Sequence, residues 1–284
     1  MTTTLRPVGP EEPLPGGGRT RHFSVCTNGR PVGAVRATAK ALGAGLVGEI
    51  ADLEITAGRR RGRGAVAALA AEEVLRGWGC TRVDVTVPEG AAEALRLVTS
   101  LGYRERSRTM AKRLSRRPPR LPAGLAERPI DAAAFPGWLA EQQRGYVHDL
   151  VASGLSGEQA RDKSDAARRA LLPDGVDTTD TVLRFLAPEQ PREAEPLGSL
   201  WVRLRGQTLP GGGELGWVFS VEVAEGSRSC GHGRTLMLLA ERACLDAGVH
   251  DLGLNVFAGN KVALGLYSSL GYGVVGRSFG KPLL

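Results

Sequence analysis

A glycine-rich turn carries the clearest chemical signal in the sequence. It reads Arg228-Ser229-Cys230-Gly231-His232-Gly233 and lies between an alternating apolar run and a helical pattern. Backbone N–H groups at a helix N-terminus bind anions, and glycines let the backbone approach a pyrophosphate closely. Nearby arginines would add charge-assisted hydrogen bonds. Two interpretations are open: a phosphate-binding turn, or an ordinary strand-to-helix turn whose glycines serve conformation alone.

The turn is positioned by a predicted succession of strand, turn, helix, strand, helix and strand. Alternation in GWVFSVEV predicts the first strand, and it places four side chains on one face: Trp217, Phe219, Val221 and Val223. Ser220 and Glu222 then point the other way. The helix RTLMLLAERACLDAG closes at Gly248, and LGLNVFA, NKVALGLYSSLG and YGVVGRS follow as strand, helix and strand. Strands that alternate with helices predict a mixed α/β sheet.

The same pattern occurs twice in the chain. Residues 59–103 align without a gap with residues 228–272 at an offset of 169, with 16 identities in 45 columns. The identities include the glycines of the turn, an Ala-Glu pair in the helix and the ending Ser-Leu-Gly-Tyr. Downstream, Lys112 also matches Lys281. An offset this long predicts duplicated domains rather than a stacked array.

Composition divides the chain further. Residues 1–19 are rich in Pro, Gly and Thr and are expected to be flexible, and residues 114–125, with LSRRPPRLPAG, suit an extended linker. These boundaries leave a first domain at 20–113 and a larger second domain at 126–284. The second domain begins with two helical patterns that the first lacks, and Ser156 is expected to cap the second of these helices.

Composition and charge limit the classes of function. The net charge of +7 comes from an excess of basic residues in the first 120 positions. Aromatic residues make up only 5%, without a stacking platform or helix-turn-helix pattern, so nucleic acid is not an expected partner. No apolar run suits a membrane span, and no secretory leader is recognised. Four cysteines without a CxxC pair fit a cytoplasmic protein with no zinc site, and no metal is expected.

Three motifs follow one another in the second copy. Arg228-x-x-Gly231-x-Gly233 comes after the strand that ends at Val223, and the block from Asn260 to Tyr272 comes next. In this order they resemble the GNAT superfamily of acyl-CoA-dependent N-acetyltransferases, whose signature is Arg/Gln-x-x-Gly-x-Gly/Ala. Arg59-x-x-Gly62-x-Gly64 repeats the signature in the first copy. The chain therefore resembles a tandem-GNAT protein, an α/β protein with two acyl-CoA N-acyltransferase domains, the first truncated.

The resemblance implies that acetyl-CoA binds the second copy in a gap between two splayed strands. Backbone groups at Val221 and Val223 would bind the pantetheine arm, and Asn260 would contact the same arm. The pyrophosphate would lie on the amides of the turn, at Arg228, Gly231, His232, Gly233 and Arg234. Tyr267 matches the family's tyrosine that protonates the departing thiolate, with an amphipathic core residue as the alternative.

The first copy keeps the turn and loses the chemistry. Ala91 stands where the second copy has Asn260, and Val98 stands where it has Tyr267. The arginine-rich loop Arg59–Gly64 is left with two possible roles, binding of CoA phosphates or packing that completes the second domain. The resemblance therefore implies catalysis in the second copy.

Two further predictions concern the acceptor. Direct transfer needs a group that takes a proton from the acceptor ammonium, and Glu222 is the candidate base, with a salt-bridged surface carboxylate as the alternative. A helix over WLAEQQRGYVHDL brings Glu141, Tyr146 and His148 near one another and predicts that they bind the acceptor, with a plain amphipathic helix as the alternative.

Two classes of function remain. The first is an N-acetyltransferase that moves an acetyl group from acetyl-CoA to a small-molecule or protein amine by direct attack in the second domain. The second is a non-catalytic acyl-CoA-binding or regulatory protein with a basic N-terminal domain. Retention of both Asn260 and Tyr267 in one copy favours the enzyme. We expect either a monomer, with the two domains as a pseudo-dimer, or a homodimer.

Overall fold

The chain folds into two compact units, each with its own core. Unit 1 consists of Met1–Ser107, Gly154–Lys163 and Gly276–Leu284, and unit 2 consists of Arg108–Ser153 and Ser164–Val275. Each unit therefore contains segments from both halves of the sequence. The computed structural model describes residues 2–42, 45–57, 62–115, 117–152, 154–191, 193–208 and 214–283.

Unit 1 contains mixed strands, two complete helices and, at residues 157–163, the start of a third helix. Its elements are β1 (Thr3–Leu14), β2 (Gly18–Thr27), β3 (Arg30–Leu42), β4 (Gly45–Ile55), α1 (Arg63–Gly77), β5 (Cys80–Pro88), α2 (Ala92–Ser100), the start of β6 (Arg104–Arg113) and most of β12 (Gly273–Pro282). The strand order is β1-β2-β3-β4-β5-β12, in which β4 and β5 run parallel and the other neighbours antiparallel. Leu75 of α1 and Phe279 of β12 are buried together in its core.

Strand β1 occupies most of the segment for which the sequence predicts flexibility. It pairs antiparallel with β2 from Thr3 opposite Thr27 to Leu14 opposite Gly18. Its side chains are mostly exposed, so burial of apolar residues does not signal the strand in the sequence. Backbone hydrogen bonds hold it, and its prolines fit because an edge strand tolerates missing N–H groups.

Unit 2 also has a mixed arrangement of strands, with helices on both of their faces. Its elements are the end of β6, β7 (Leu125–Pro129), α3 (Phe135–Ala152), most of α4 (Gly157–Leu171), β8 (Thr181–Pro188), β9 (Gly198–Thr208), β10 (Glu214–Val223), α5 (His232–Asp246), β11 (Asp251–Phe257) and α6 (Lys261–Ser269). The strand order is β6-β11-β10-β9-β8-β7. Leu236 of α5 packs in the core with Leu200 and Val202 of β9, whereas Trp138 of α3 contacts Trp201 of the same strand. The predicted mixed α/β fold is confirmed.

The start of helix α4 agrees with the cap that the sequence predicts. Ser156 caps α4 as predicted: its hydroxyl accepts a hydrogen bond from the Gln159 amide at 3.1 Å, and the Gln159 side chain accepts one from the Ser156 amide at 3.1 Å. This reciprocal pair satisfies two amides that a helix start leaves open.

Among the described residues, no helix has the length and apolar character of a membrane span.

Each core holds a buried glutamate that the repeat places at the same position. In unit 1, Glu72 of α1 accepts hydrogen bonds from the Tyr103 hydroxyl at 2.8 Å and from the Lys281 ammonium at 2.7 Å. Lys281 belongs to β12, so the second half of the sequence supplies the cation that neutralises a carboxylate of the first half. The linker start is also packed, because Leu114 lies in the unit 2 core.

Candidate functional site

Strand β10 is irregular at the point where chemistry was predicted. Its register with β9 shifts between Val218, opposite Val202, and Ser220, opposite Trp201, so one extra residue, Phe219, is bulged. On the other side, β10 pairs in parallel with β11 only from Gly216 to Val218. In the part of the chain that the structure describes, no pairing of these two strands follows Val218. The edge of β10 from Phe219 to Val223 is thus open, as the predicted gap requires.

The bulge also redistributes the side chains of β10. Val221 and Val223 pack against the core that contains Val218 and α5. The Phe219 ring instead lies 4.8 Å from the Trp201 ring, on the α3 face of the sheet. The prediction that Phe219 shares a face with Val221 and Val223 is therefore wrong, because strict alternation fails at a bulge.

The glycine-rich turn stands next to this open edge and begins α5. Gly231 has φ +84° and Ser229 has φ +64°, a conformation that favours glycine. A Cβ at Gly231 would meet nothing within 4 Å, so its backbone faces open space. Among the described residues, the amides of Ser229 to Gly233 donate to no backbone carbonyl, whereas that of Arg234 donates to the Gly231 carbonyl at 3.0 Å. The turn therefore presents a short run of amides suited to an anion.

The other residues of the turn have mixed surroundings. The Nδ1 atom of His232, the first residue of α5, is enclosed with no hydrogen-bond partner among the described residues. The Arg234 guanidinium donates to the Ser269 hydroxyl at 2.6 Å, and Arg228 is exposed. A Cβ at Gly233 would lie 3.2 Å from Leu266, so glycine allows α5 to begin close to α6.

Asn260 and Tyr267 mark the two ends of α6. The Asn260 side chain caps the helix by accepting a hydrogen bond from the Ala263 amide at 3.0 Å, which leaves its amide N–H groups for a ligand. The Tyr267 ring is buried and lies 6.2 Å from the Tyr272 ring. Burial raises the pKa of Tyr267, so its phenol stays protonated at neutral pH. No described residue hydrogen-bonds its hydroxyl.

The Glu222 side chain extends from β10 to helix α3. A Cβ at Gly145 of α3 would stand 3.2 Å from the Glu222 Oε1 atom. Burial, followed by the charges of Glu141 and Asp149, raises the pKa of Glu222 to about 7, while a hydrogen bond from Ser220 and the charge of Arg228 act in the opposite direction. A carboxylate with a pKa near neutrality can both accept and release a proton at physiological pH.

Helix α3 brings only part of the predicted acceptor set to this carboxylate. Glu141 acts electrostatically on Glu222. Tyr146 is exposed, and His148 acts electrostatically on Asp149 rather than on Glu222. Asp149 was missed by the sequence analysis. The signal that could have found it is the spacing of four residues from Glu141 to Gly145 and again to Asp149, which places all three on one face of a helix.

The comparison with known families agrees with this geometry. The model of the acetyltransferase (GNAT) family matches residues 8–103 and again residues 157–272. The chain belongs to the GNAT family. The double match shows that it holds two GNAT segments, as predicted from the repeat.

Solved structures share the fold at low sequence identity. A GCN5-related N-acetyltransferase from Sphaerobacter thermophilus is 18% identical, with a TM-score of 0.56 over 92% of this chain and 80% of that chain. A tandem GNAT protein from the clavulanic acid biosynthesis pathway is 15% identical, with a TM-score of 0.52 over 96% and 85%. A GCN5-related N-acetyltransferase from Kribbella flavida is 14% identical, with a TM-score of 0.53 over 88% of each chain. Among curated protein sequences, none matches significantly.

The first GNAT segment keeps the backbone of the site without its side chains. Gly62 has φ +71° at the start of α1, and Gly64 faces Leu97 as Gly233 faces Leu266. Ala91 is the N-cap residue of α2 and provides no side-chain cap. Val98 is buried in the core of unit 1. Arg59, the first residue of the signature, lies outside the described residues. In the described ranges, no group of His, Cys, Asp or Glu is placed to hold a metal ion.

Proposed function

We propose that unit 2 transfers an acetyl group from acetyl-CoA to an amine by direct attack. The observation that carries this proposal is the position of Glu222, a carboxylate with a pKa of about 7, on the bulged strand β10 that ends just before the glycine-rich turn of α5. A proton acceptor and an anion-binding turn at one end of one strand are what acetylation of an ammonium by an acyl-CoA requires.

The residues of unit 2 fit acetyl-CoA. The amides of Ser229–Gly233 donate to no backbone carbonyl among the described residues, and Gly231 within this run faces open space, so the run suits the pyrophosphate. The edge of β10 beyond Val218 offers backbone groups to the pantetheine arm, at Val221 and Val223. The free side-chain N–H groups of Asn260 can donate to the same arm. When bound, acetyl-CoA supplies an acyl group activated as a thioester.

Glu222 and Tyr267 would divide the proton transfers between them. The Glu222 carboxylate takes a proton from the acceptor ammonium, which frees the nitrogen lone pair to attack. The Tyr267 phenol, kept protonated by burial, gives its proton to the sulfur as the carbon–sulfur bond breaks. As the amide forms, its nitrogen loses a second proton, which restores the ionised Tyr267 by way of solvent. The net change is one proton left on Glu222, which passes to solvent.

Titration calorimetry with acetyl-CoA on the full chain tests this proposal, together with thiol release on addition of an amine. We expect one binding site that is lost in Gly231→Glu, because glutamate repels the pyrophosphate, and kept in Gly62→Glu. Gly231→Ala is the matched control, since it imposes the same backbone strain at positive φ without the charge. Absence of binding at about millimolar ligand, or loss of the site in Gly62→Glu alone, would overturn the proposal.

A further inference from the structure

A basic cluster in unit 1 lies on the face of the strands opposite the core. Arg82 and Asp84 alternate on β5 with Val83, which is fully buried in the unit 1 core, so both point to the other face. The Arg82 guanidinium donates two hydrogen bonds to the Asp84 carboxylate, at 3.0 and 2.7 Å. Arg106 of β6 approaches the same carboxylate, with its Nη1 atom 4.0 Å from Asp84 Oδ1. Two arginines therefore share one carboxylate.

Gly280 of β12 leaves the room in which these side chains meet. It stands opposite Asp84 in the register of β12 with β5. A Cβ at Gly280 would lie 2.6 Å from the Arg106 Cδ atom and 3.0 Å from Asp84 Oδ1, closer than van der Waals contact allows. Both arginine side chains are largely enclosed, with 12% of Arg82 and 16% of Arg106 exposed. The strands therefore hold both cations in fixed positions.

Helix α4 brings a third cation, Lys163, to this face. Residues 154–163 belong to unit 1, and a Cβ at Gly45, at the start of β4, would stand 3.5 Å from the Gln159 Nε2 atom. From that point β4 runs parallel to β5 and pairs with it beside Arg82. Lys163 follows Gln159 by four residues and so leaves the same face of the helix. Its exposed side chain thus stands at the border of the arginine pair.

The charges of this group, which we call the Arg82 cluster, do not balance. Three cations, Arg82, Arg106 and Lys163, surround the carboxylate of Asp84, which leaves an excess of two positive charges. Loss of hydration and the charge of Arg82 lower the pKa of Lys163, Asp84 acts in the opposite direction, and Arg106 lowers it further. Burial and the charge of Arg82 also lower the pKa of Arg106. The cations repel one another, and a bound anion would remove that repulsion.

The repeat indicates that the fold does not need the Arg82 cluster. At the offset of 169, the positions of Arg82, Asp84 and Arg106 are occupied by Asp251, Gly253 and Val275. The second copy forms the equivalent strands, β11 and β12, with no arginine at any of these positions. Like charges that are partly enclosed cost free energy. Because the strands form without them in the second copy, their presence in the first points to a ligand.

We propose that Arg82, Arg106 and Lys163 bind a phosphate group, either inorganic phosphate or the phosphate of a monoester. A phosphate monoester carries a charge of about −1.5 to −2 near neutral pH, which matches the excess of the Arg82 cluster. The hydrogen bonds to Asp84 use Nε and Nη2 of Arg82, which leaves Nη1 to donate to a phosphate oxygen. The Lys163 ammonium adds a point charge. This site is separate from the acetyl transfer proposed for unit 2.

Titration calorimetry with inorganic phosphate tests the inference on the full chain, at a constant chloride concentration of about 0.15 M. Because the glycine-rich turn of unit 2 also suits phosphate, every titration uses the Gly231→Glu background. We expect one site with a Kd of about 1 mM or below. Lys163→Met should weaken binding about tenfold, since a charged hydrogen-bond donor is lost, and Lys163→Arg should retain it. The matched control is Lys40→Met, which removes another lysine of unit 1, one that pairs with Glu49, and which should leave the Kd unchanged.

Thermal melting adds a measurement in which the effect of Lys163→Met changes sign. Without phosphate, this variant should melt at a higher temperature than the Gly231→Glu background, because one of three repelling cations is gone. With phosphate at about ten times the Kd, the background should gain about 3 °C and the Lys163→Met variant almost nothing. A lower melting temperature of the variant in both conditions would identify a structural lysine and overturn the inference.

Glycerol 1-phosphate distinguishes the two sources of the phosphate group. Binding of this ester assigns the Arg82 cluster to phosphate monoesters, and binding of inorganic phosphate alone assigns it to the free ion. Equal phosphate affinity in the Lys163→Met variant would mean an adventitious ion only and would overturn the inference. Absence of binding of both probes at about 10 mM, a ceiling for weak affinity, would overturn it as well. None of these outcomes bears on acetyl-CoA binding, which is measured with Gly231 intact.

Discussion

The Lys112 ammonium donates a hydrogen bond to the buried carboxylate of Glu241 at 2.6 Å, although 129 residues separate them in sequence. Tyr272 donates to the same carboxylate at 3.3 Å. The contact repeats, with the halves reversed, the one that Lys281 makes to Glu72 in unit 1. Each half of the repeat thus supplies the lysine that pairs with the glutamate of the other half: Lys112 with Glu241, and Lys281 with Glu72.

Loss of Lys281 should destabilise unit 1. Lys281→Met leaves Glu72, which is only 3% exposed, without its cation, and breaking a buried ion pair of this kind costs about 3 kcal/mol. Chemical denaturation of the full chain measures the effect. The matched control is Lys261→Met on the exposed start of α6. A cost below about 1 kcal/mol, the usual worth of a surface ion pair, would show that Glu72 reaches solvent.

The rate of acetylation should depend on the ionisation of Glu222. Because its pKa is about 7, kcat/KM is expected to rise with pH up to about that value and then level off. Glu222→Gln should remove this rise and lower the rate by about 100-fold, a typical contribution of a general base. Glu141→Gln should move the rise to lower pH, because a negative neighbour is lost. An unchanged profile in Glu222→Gln would assign the base to another group.

The same carboxylate should make stability depend on pH. A folded-state pKa raised from 4.5 to about 7 favours the protonated form, so stability is full below about pH 4.5 and falls as pH rises through 7. Since Glu222 is only half-buried, solvent screening reduces the loss to about 1–2 kcal/mol. Glu222→Gln should be more stable than the original protein at pH 8 and equal to it at pH 4. Thermal melting at both pH values measures this difference, and a less stable variant at pH 8 would indicate a salt-bridged carboxylate instead.

The Tyr267 hydroxyl should matter for turnover and not for folding. Tyr267→Phe is expected to lower kcat about 100-fold between about pH 6 and 9 and to leave stability within about 0.5 kcal/mol. Tyr272→Phe is the matched control, because its hydroxyl is bonded to Glu241. That variant should lose about 1 kcal/mol of stability and keep its kcat. Equal kcat in the two variants would leave Tyr267 as a core residue.

Periodicity and the repeat were enough to predict β10, α5, β11 and α6, the two helices before β8, the cap at Ser156 and the glycine-rich turn, but not the strands β7, β8 and β9. They failed where long-range contacts decide the outcome. The bulge at Phe219 depends on the register of β10 with β9. The residues of one strand alone do not specify how that strand pairs with its neighbour. The influence of Asp149 on Glu222 depends on which face of α3 meets β10, and periodicity alone did not choose that face. The match of Lys112 with Lys281 was visible in the alignment, but only the fold shows which glutamate each one meets.

The position of β12 in unit 1 has a consequence for the order of events during protein synthesis. The ribosome completes residues 1–107 early, yet the strand that places Phe279 and Lys281 in that unit is translated long afterwards. The first unit must therefore wait, with Glu72 and the edge of β5 uncovered, until the last residues of β12 have left the exit tunnel. A stalled or shortened chain would leave the N-terminal unit incomplete, while residues 108–275 would already include all of unit 2.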